Sequence, residues 1–208
     1  KDSEYIDEVE AITFEFLTPK LKEYFTSFDL MGGMFVIKPH GKEGHIPPHL
    51  DFSLVYESKY WSMNSWCPLE DTHEDYGILK MLPGSHRMMH TIRGYGIPEH
   101  YTHLADTIEK NFVPIKMKAG ECIFFYLSIV HGSSYNIRKE PRVALGCSIL
   151  PESHQLEYNI IPDGASLVKR YSVDKDFFRN YTHAKKSEPE ESNLIKSFQP
   201  NFHRMTER

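Results

Sequence analysis

The periodicities of the chain predict a mainly β fold, a sandwich or jelly roll with α-helices at its margins, and three observations lead there. Seven short runs rich in β-branched and aromatic residues lie between Met34 and Leu150, separated by clusters of Gly, Pro and Asp. Ahead of them, residues 3–17 repeat apolar side chains at helical rather than strand spacing. With 208 residues, 40% hydrophobic and 25% charged, the chain has the length at which an all-β fold commonly closes as one domain and the usage of an ordinary globular protein.

The first element is an amphipathic helix. Ile6, Val9, Ile12, Phe16 and Leu17 recur at roughly helical spacing, and acidic residues in the first turn suit the helix dipole. After Pro19, Leu21, Tyr24 and Phe25 continue the spacing into a second short helix over residues 20–28, so residues 1–30 are expected as N-terminal helices. The strand runs are residues 34–38, 50–56, 61–68, 78–82, 115–117 and 123–128, and Arg142–Leu150. They make 34–150 the β core of a single domain, 1–208. Residues 87–112 interrupt the core, with Gly94, Gly96 and Pro98 ahead of a helical pattern over 99–110. An insertion this long in a compact β domain is usually a lid or binding loop. Beyond Asp163 the chain turns polar, so 164–208 is expected as a helical and polar extension, a surface helix followed by a mobile tail over the charged stretch 185–193.

A formal net charge of −5 with no basic stripe speaks against a nucleic-acid partner. No stretch approaches the roughly 20 apolar residues that cross a bilayer, so no membrane partner is expected, and the first ten residues are too acidic for a signal peptide. Cys67, Cys122 and Cys147 are widely spaced in apolar runs; they are expected as reduced core cysteines, which points to the cytoplasm. Paired carboxylates at hydrolase spacing, a nucleophile elbow and a phosphate loop are absent, which leaves hydrolase and kinase readings without residues. Oligomeric state is not legible.

His49-Leu50-Asp51 opens a strand-like run, where a period of two aims His49 and Asp51 at one face. His131 follows the run 123–128. Two imidazoles and one carboxylate on one face of an iron leave the opposite positions open for a co-substrate and oxygen, which non-haem iron oxygenases require. Alone, His-x-Asp is common by chance among 12 histidines and 29 acidic residues. Arg142 adds weight: its planar guanidinium can hold a dicarboxylate end-on through two parallel hydrogen bonds, where otherwise it would be one more surface arginine. Asn64 shares a strand face with Ser62 and Trp66, opposite Met63, Ser65 and Cys67, and a polar group turned inward there needs a ligand or water. Lys38 is placed to bring charge to a co-substrate or substrate carboxylate, the alternative being a solvated edge lysine. His45 with His49 and His86 with His90 have the spacing that binds zinc on a helix. Pro47-Pro48 forbids a helix at the first pair and Pro83-Gly84 places the second at a turn, which His86 is expected to brace by hydrogen bonds.

Over residues 34–150 the order and spacing of these pieces resemble the phytanoyl-CoA dioxygenase family. The matching stretches are Ile37-Lys38-Pro39, His49-Leu50-Asp51, Trp66-Cys67-Pro68-Leu69-Glu70-Asp71-Thr72, Gly77-Ile78-Leu79-Lys80-Met81-Leu82-Pro83-Gly84-Ser85-His86, Ala119-Gly120-Glu121, His131-Gly132-Ser133, Asn136 and Pro141-Arg142. The resemblance implies a double-stranded β-helix (jelly roll, cupin-like), with flanking α-helices at the N-terminus, the insertion and the C-terminus. It implies Fe(II) on His49, Asp51 and His131, and 2-oxoglutarate chelating that metal with its far carboxylate on Arg142. Asn64 and Lys38 are the further cofactor-binding candidates. The activity implied is O2-dependent hydroxylation of a small-molecule substrate, releasing succinate and carbon dioxide. Leu50 stands where many members carry glutamine, and Ala144 where some carry serine, so another group is expected to help hold the co-substrate. Two alternatives stay open: a cupin-like metalloenzyme that does not use 2-oxoglutarate, and a catalytically silent ligand-binding relative.

Overall fold

A computed structural model describes residues 3–89, 91–181 and 188–200. Helix α1 (Ser3–Leu21) leads into β1 (Asp29–Lys38), β2 (Ile46–His49), β3 (Met63–Pro68) and β4 (Leu79–Met81). The insertion carries α2 (Ala105–Asn111), and β5 (Val113–Pro114), β6 (Ile123–Tyr126), β7 (His131–Ser133) and β8 (Arg142–Leu150) complete the core. Two four-stranded antiparallel sheets result, ordered β1-β8-β3-β6 and β2-β7-β4-β5. Successive strands alternate between them except β4 and β5, which flank the insertion, and this is the double-stranded β-helix expected. β8 lies inside its sheet with α1 packed against it, so it is buried along almost its whole length and reads as a continuous apolar run.

Several expectations are corrected. Along α1 the buried stripe is Val9, Thr13, Leu17 and Leu21, spaced by four, whereas Ile12 and Phe16 are 47% and 53% exposed. The helix comes so close to β1 that a Cβ on Gly33 would stand 2.8 Å from the Glu10 Cα, and β1 is bulged between Met31 and Met34. Residues 20–28 form no second helix: the Leu21 carbonyl accepts from both Tyr24 and Phe25 N–H, and Phe25 instead stacks on Trp61 at 5.5 Å. Residues 50–56 are no strand either. The strand lies just before them, through Pro47-Pro48, and only Val55 makes a bridge, to Leu156. The run 115–117 is likewise irregular, β5 ending just ahead of it.

Cys67 and Cys122 are joined in a disulfide rather than reduced. The β3–β6 register pairs Trp66 with Ile123, so the next positions face each other, with Cα atoms 4.3 Å apart. The cytoplasmic expectation loses that support. Cys147 is free and buried, and burial pushes its thiol up to about 11. Among the described residues no helix is long and apolar enough to cross a membrane. Beyond the core, β9 (Glu157–Ile160) joins β10 (Val168–Ser172) and β11 (Leu194–Phe198) of the C-terminal extension in a third sheet, with α3 (Lys175–Asn180) between β10 and β11. A strand thus follows the stretch expected as a tail; residues 182–187 and 201–208 lie outside the described residues.

The insertion is packed into the body. A Cβ on Gly94 would stand 1.9 Å from the Asn159 carbonyl oxygen, Tyr95 bridges Ile160, and Tyr101, Leu104 and Ile108 cluster with Val130 and Leu50. Its residues line a cavity with Leu50 and Phe52; none of its described residues lines the cavity described next.

Candidate metal and co-substrate site

The pairing of β2 with β7 sets His49 directly opposite His131, with ring centroids 4.1 Å apart. A Cβ on Gly132 would lie 2.7 Å from the Ile46 carbonyl oxygen, so only glycine lets the two strands approach this closely. Asp51 lies two residues past the end of β2, with Oδ1 3.9 Å from His49 Nε2 and Oδ2 3.8 Å from His131 Nε2. Candidate ligand atoms of all three lie within 4.8 Å of one another. His49 Nδ1 is 3.0 Å from the Pro47 carbonyl oxygen and His131 Nδ1 is 3.0 Å from that of Ile129. A carbonyl only accepts, so each Nδ1 carries the proton and each Nε2 lone pair is left for a shared ion. Burial lowers the His131 pKa, opposed by Asp51, and so favours the neutral, ligating imidazole.

The opposing sheet supplies the rest. Asn64 Nδ2 donates to Asp51 Oδ2 at 2.8 Å, and its Oδ1 accepts from Ser148 Oγ at 2.9 Å. Asn64 therefore lines the cavity as a brace on the carboxylate. Arg142 is 3% exposed; it donates Nη1 to the Gly77 carbonyl at 2.5 Å and lies over the Trp66 ring, 4.9 Å from its centroid. Its Nε is buried without a hydrogen-bond partner among the described residues, as is Ser133 Oγ. Burial pulls the guanidinium down to about 10. Lys38 takes neither expected position. It is buried, its ammonium donates to the carbonyls of Gly44 and Ser134, and it is not among the cavity-lining residues. Burial, with the neighbouring Arg142 cation, lowers it to about 8.

His49, Asp51, Asn64, His131, Ser133 and Arg142 line one cavity of about 230 Å³ between the two sheets, together with Val36, Leu79, Phe125 and Trp66. Sequence reasoning missed Ser133, although its place two residues after His131 in a strand puts both on one face. His45 stands apart, its ring tilted against that of Tyr135 at 4.7 Å. His86 stacks on Tyr126 at 5.2 Å with no hydrogen-bond partner for its buried Nδ1 among the described residues. The turn is braced instead by Ser85 Oγ, which accepts from Val130 N–H at 2.8 Å. His90 lies outside the described residues.

The family model for phytanoyl-CoA dioxygenase (PhyH) matches residues 8–144, more than half of the chain. The chain belongs to the phytanoyl-CoA dioxygenase family. A rice (Oryza sativa subsp. japonica) phytanoyl-CoA dioxygenase 1 is 28% identical over 120 residues, covering 56% of this chain and 43% of the relative. The Arabidopsis thaliana phytanoyl-CoA dioxygenase is 31% identical over 124 residues, covering 58% and 44%. The chain thus spans less than half the length of these relatives. Among solved structures, the epimerase SnoN in complex with Fe3+, alpha ketoglutarate and nogalamycin RO superposes with a TM-score of 0.55 at 19% identity, covering 72% of this chain and 61% of that one; the likeness is one of fold. Phytanoyl-CoA dioxygenases use Fe(II), 2-oxoglutarate and O2, and the residues here fit those groups. Two imidazoles and a carboxylate converge on one point, and a buried cation and a buried hydroxyl in the same cavity have polar atoms without partners among the described residues.

Proposed function

We propose that this member of the phytanoyl-CoA dioxygenase family is an Fe(II)- and 2-oxoglutarate-dependent oxygenase that hydroxylates a small-molecule substrate and releases succinate and carbon dioxide. The observation that carries the reading is one cavity lined both by the convergent His49, Asp51 and His131 and by Arg142, a buried guanidinium with an unpartnered Nε. Iron with 2-oxoglutarate would supply O2 activation and the oxidising power to break a C–H bond.

The chain's residues bind, orient and exclude water. His49 and His131 would each give the ion an Nε2 whose direction is set by the bond their Nδ1 makes to the main chain. Asp51 would give a carboxylate whose rotation Asn64 limits. Arg142 Nε and Ser133 Oγ would hold the remote carboxylate of the co-substrate, and the Trp66 face beneath the guanidinium keeps that end dry. Ala144 offers no hydroxyl, and Ser133 supplies one from the facing sheet. Arg142 is what favours this reading over a metalloenzyme that does not use 2-oxoglutarate, since a buried arginine with no acidic partner among the described residues calls for an anion.

Purified protein given Fe(II), ascorbate, O2 and 2-oxoglutarate, with a panel of candidate metabolites, is expected to form succinate. His131→Ala and Asp51→Ala should abolish this and Fe(II) binding, and His45→Ala should keep both. Succinate no higher than in Asp51→Ala, or parental iron affinity in His131→Ala, overturns the assignment.

A further inference from the structure

Asp51 lies past the end of β2, and residues 50–54 have no strand partner before Val55 reaches Leu156. No sheet ladder fixes the backbone of this residue. Arg93, from the insertion, takes that place. Its Nε donates to the Asp51 carbonyl oxygen at 2.7 Å, and Nη1 and Nη2 donate to the two carboxylate oxygens of Glu57 at 2.7 Å each. Ser62 Oγ holds Glu57 Oε1 at 2.7 Å. The main chains are joined as well: Ser53 N–H donates to the Arg93 carbonyl at 3.3 Å, and Arg93 N–H donates to Ser53 Oγ at 3.0 Å. Both partners of the ion pair are 8% exposed. A buried ion pair is often no more stabilising than apolar residues of the same volume. Stability alone therefore does not account for it, whereas the bond to Asp51 does.

We infer that Glu57 and Arg93 are a positioning pair for Asp51, fixing from the main-chain side the carboxylate that Asn64 fixes from the other; this rests on the reading of His49, Asp51 and His131 as metal ligands. Residues that orient a metal ligand typically carry about 10–100-fold in metal affinity.

The test uses the full chain titrated with Co(II), following d–d absorption and heat, with melting of the metal-free protein alongside. Changing Arg93→Met together with Glu57→Met removes the bond to Asp51 without leaving a charge stranded. The metal-free melting temperature should stay within a few degrees of the parent while Co(II) affinity drops about 10–100-fold and the d–d bands shift. Parental affinity and bands in that double variant overturn the positioning role. Should it fail to fold, Arg93→Lys decides by the same two readouts at a temperature where its circular dichroism is parental: weaker binding with altered bands supports the role, and parental values end it. Asp51→Ala separates the premises. Lost Co(II) binding there, beside parental behaviour of the double variant, overturns the positioning role alone; parental binding in Asp51→Ala brings down the ligand assignment and this inference with it.

Discussion

The two four-stranded sheets hold their functional side chains by different means. In β1-β8-β3-β6 the long strands are of 10 and 9 residues, and their ladder, bulged between Met31 and Met34, sets Arg142 opposite Lys38 and Asn64 opposite Ser148. In β2-β7-β4-β5 the strands run to only 4, 3, 3 and 2 residues, and the two histidines sit there. Where the ladder is long, register alone aims a side chain. Where it is short, aim comes from individual bonds: the Pro47 and Ile129 carbonyls on the histidines, and Asn64 and Arg93 on Asp51. Co-substrate binding should therefore hang on few residues, and metal binding on many.

The sharpest way to break that contrast is Arg142→Ala. Removing one partner of a buried charge pair costs about 2–5 kcal/mol, so 2-oxoglutarate should bind roughly 30-fold to several-thousand-fold more weakly, with Fe(II) affinity near parental, by calorimetry under nitrogen. Lysine should rescue only in part, lacking the fork. Next is Cys122→Ser, which opens a cross-link spanning 55 residues in the long-stranded sheet. Stability to urea should fall by about 2–4 kcal/mol while metal affinity holds, and treating the parent with reductant should reproduce the loss.

Lys38 gives a pH test of the same sheet. Unfolded, its ammonium titrates near 10.5; folded, burial and then Arg142 bring it to about 8. Between those values the unfolded chain holds a proton that the folded chain has released, so stability rises with pH. The destabilisation is full below about pH 8 and fades towards 10.5. Relative to Lys38→Gln, the parent should gain up to about 3 kcal/mol across that window in urea melts; a flat difference would contradict it. The smallest effect sharpens the comparison from the other side. Asn64→Leu should weaken metal binding about 10-fold while Arg142 keeps 2-oxoglutarate affinity within about threefold, by titration of each ligand.

Legibility followed part of the same division, since the short-stranded sheet yielded β4 as the run 78–82. Strands β1, β3, β6 and β8 announced themselves through runs of apolar and branched residues, because their pattern is set by burial along a regular ladder. β7 is too short to carry a period, and β2 contains Pro47-Pro48, so neither was visible, although both histidines stood out by motif. The disulfide required the β3–β6 register, which no single strand encodes. Glu57 and Arg93 carried no signal in the sequence, since only the folded insertion brings them together. The insertion itself, expected as a lid, packs at Gly94 and Tyr95 against β9, a strand that was not anticipated.

The pairing of β1 with β8 puts Asp29 beside Leu150, and His49 has no partner until His131 exists. As the chain leaves a ribosome, then, no fragment ending before His131 holds all three candidate ligands. Pairing over such distances is slow in its own right, because the loop must close before any contact rewards it. An ion held by His49, Asp51 and His131 would stabilise the folded chain by mass action, about 2.7 kcal/mol at a hundred times its Kd. Metal scarcity would then withdraw that stabilisation from the folded protein.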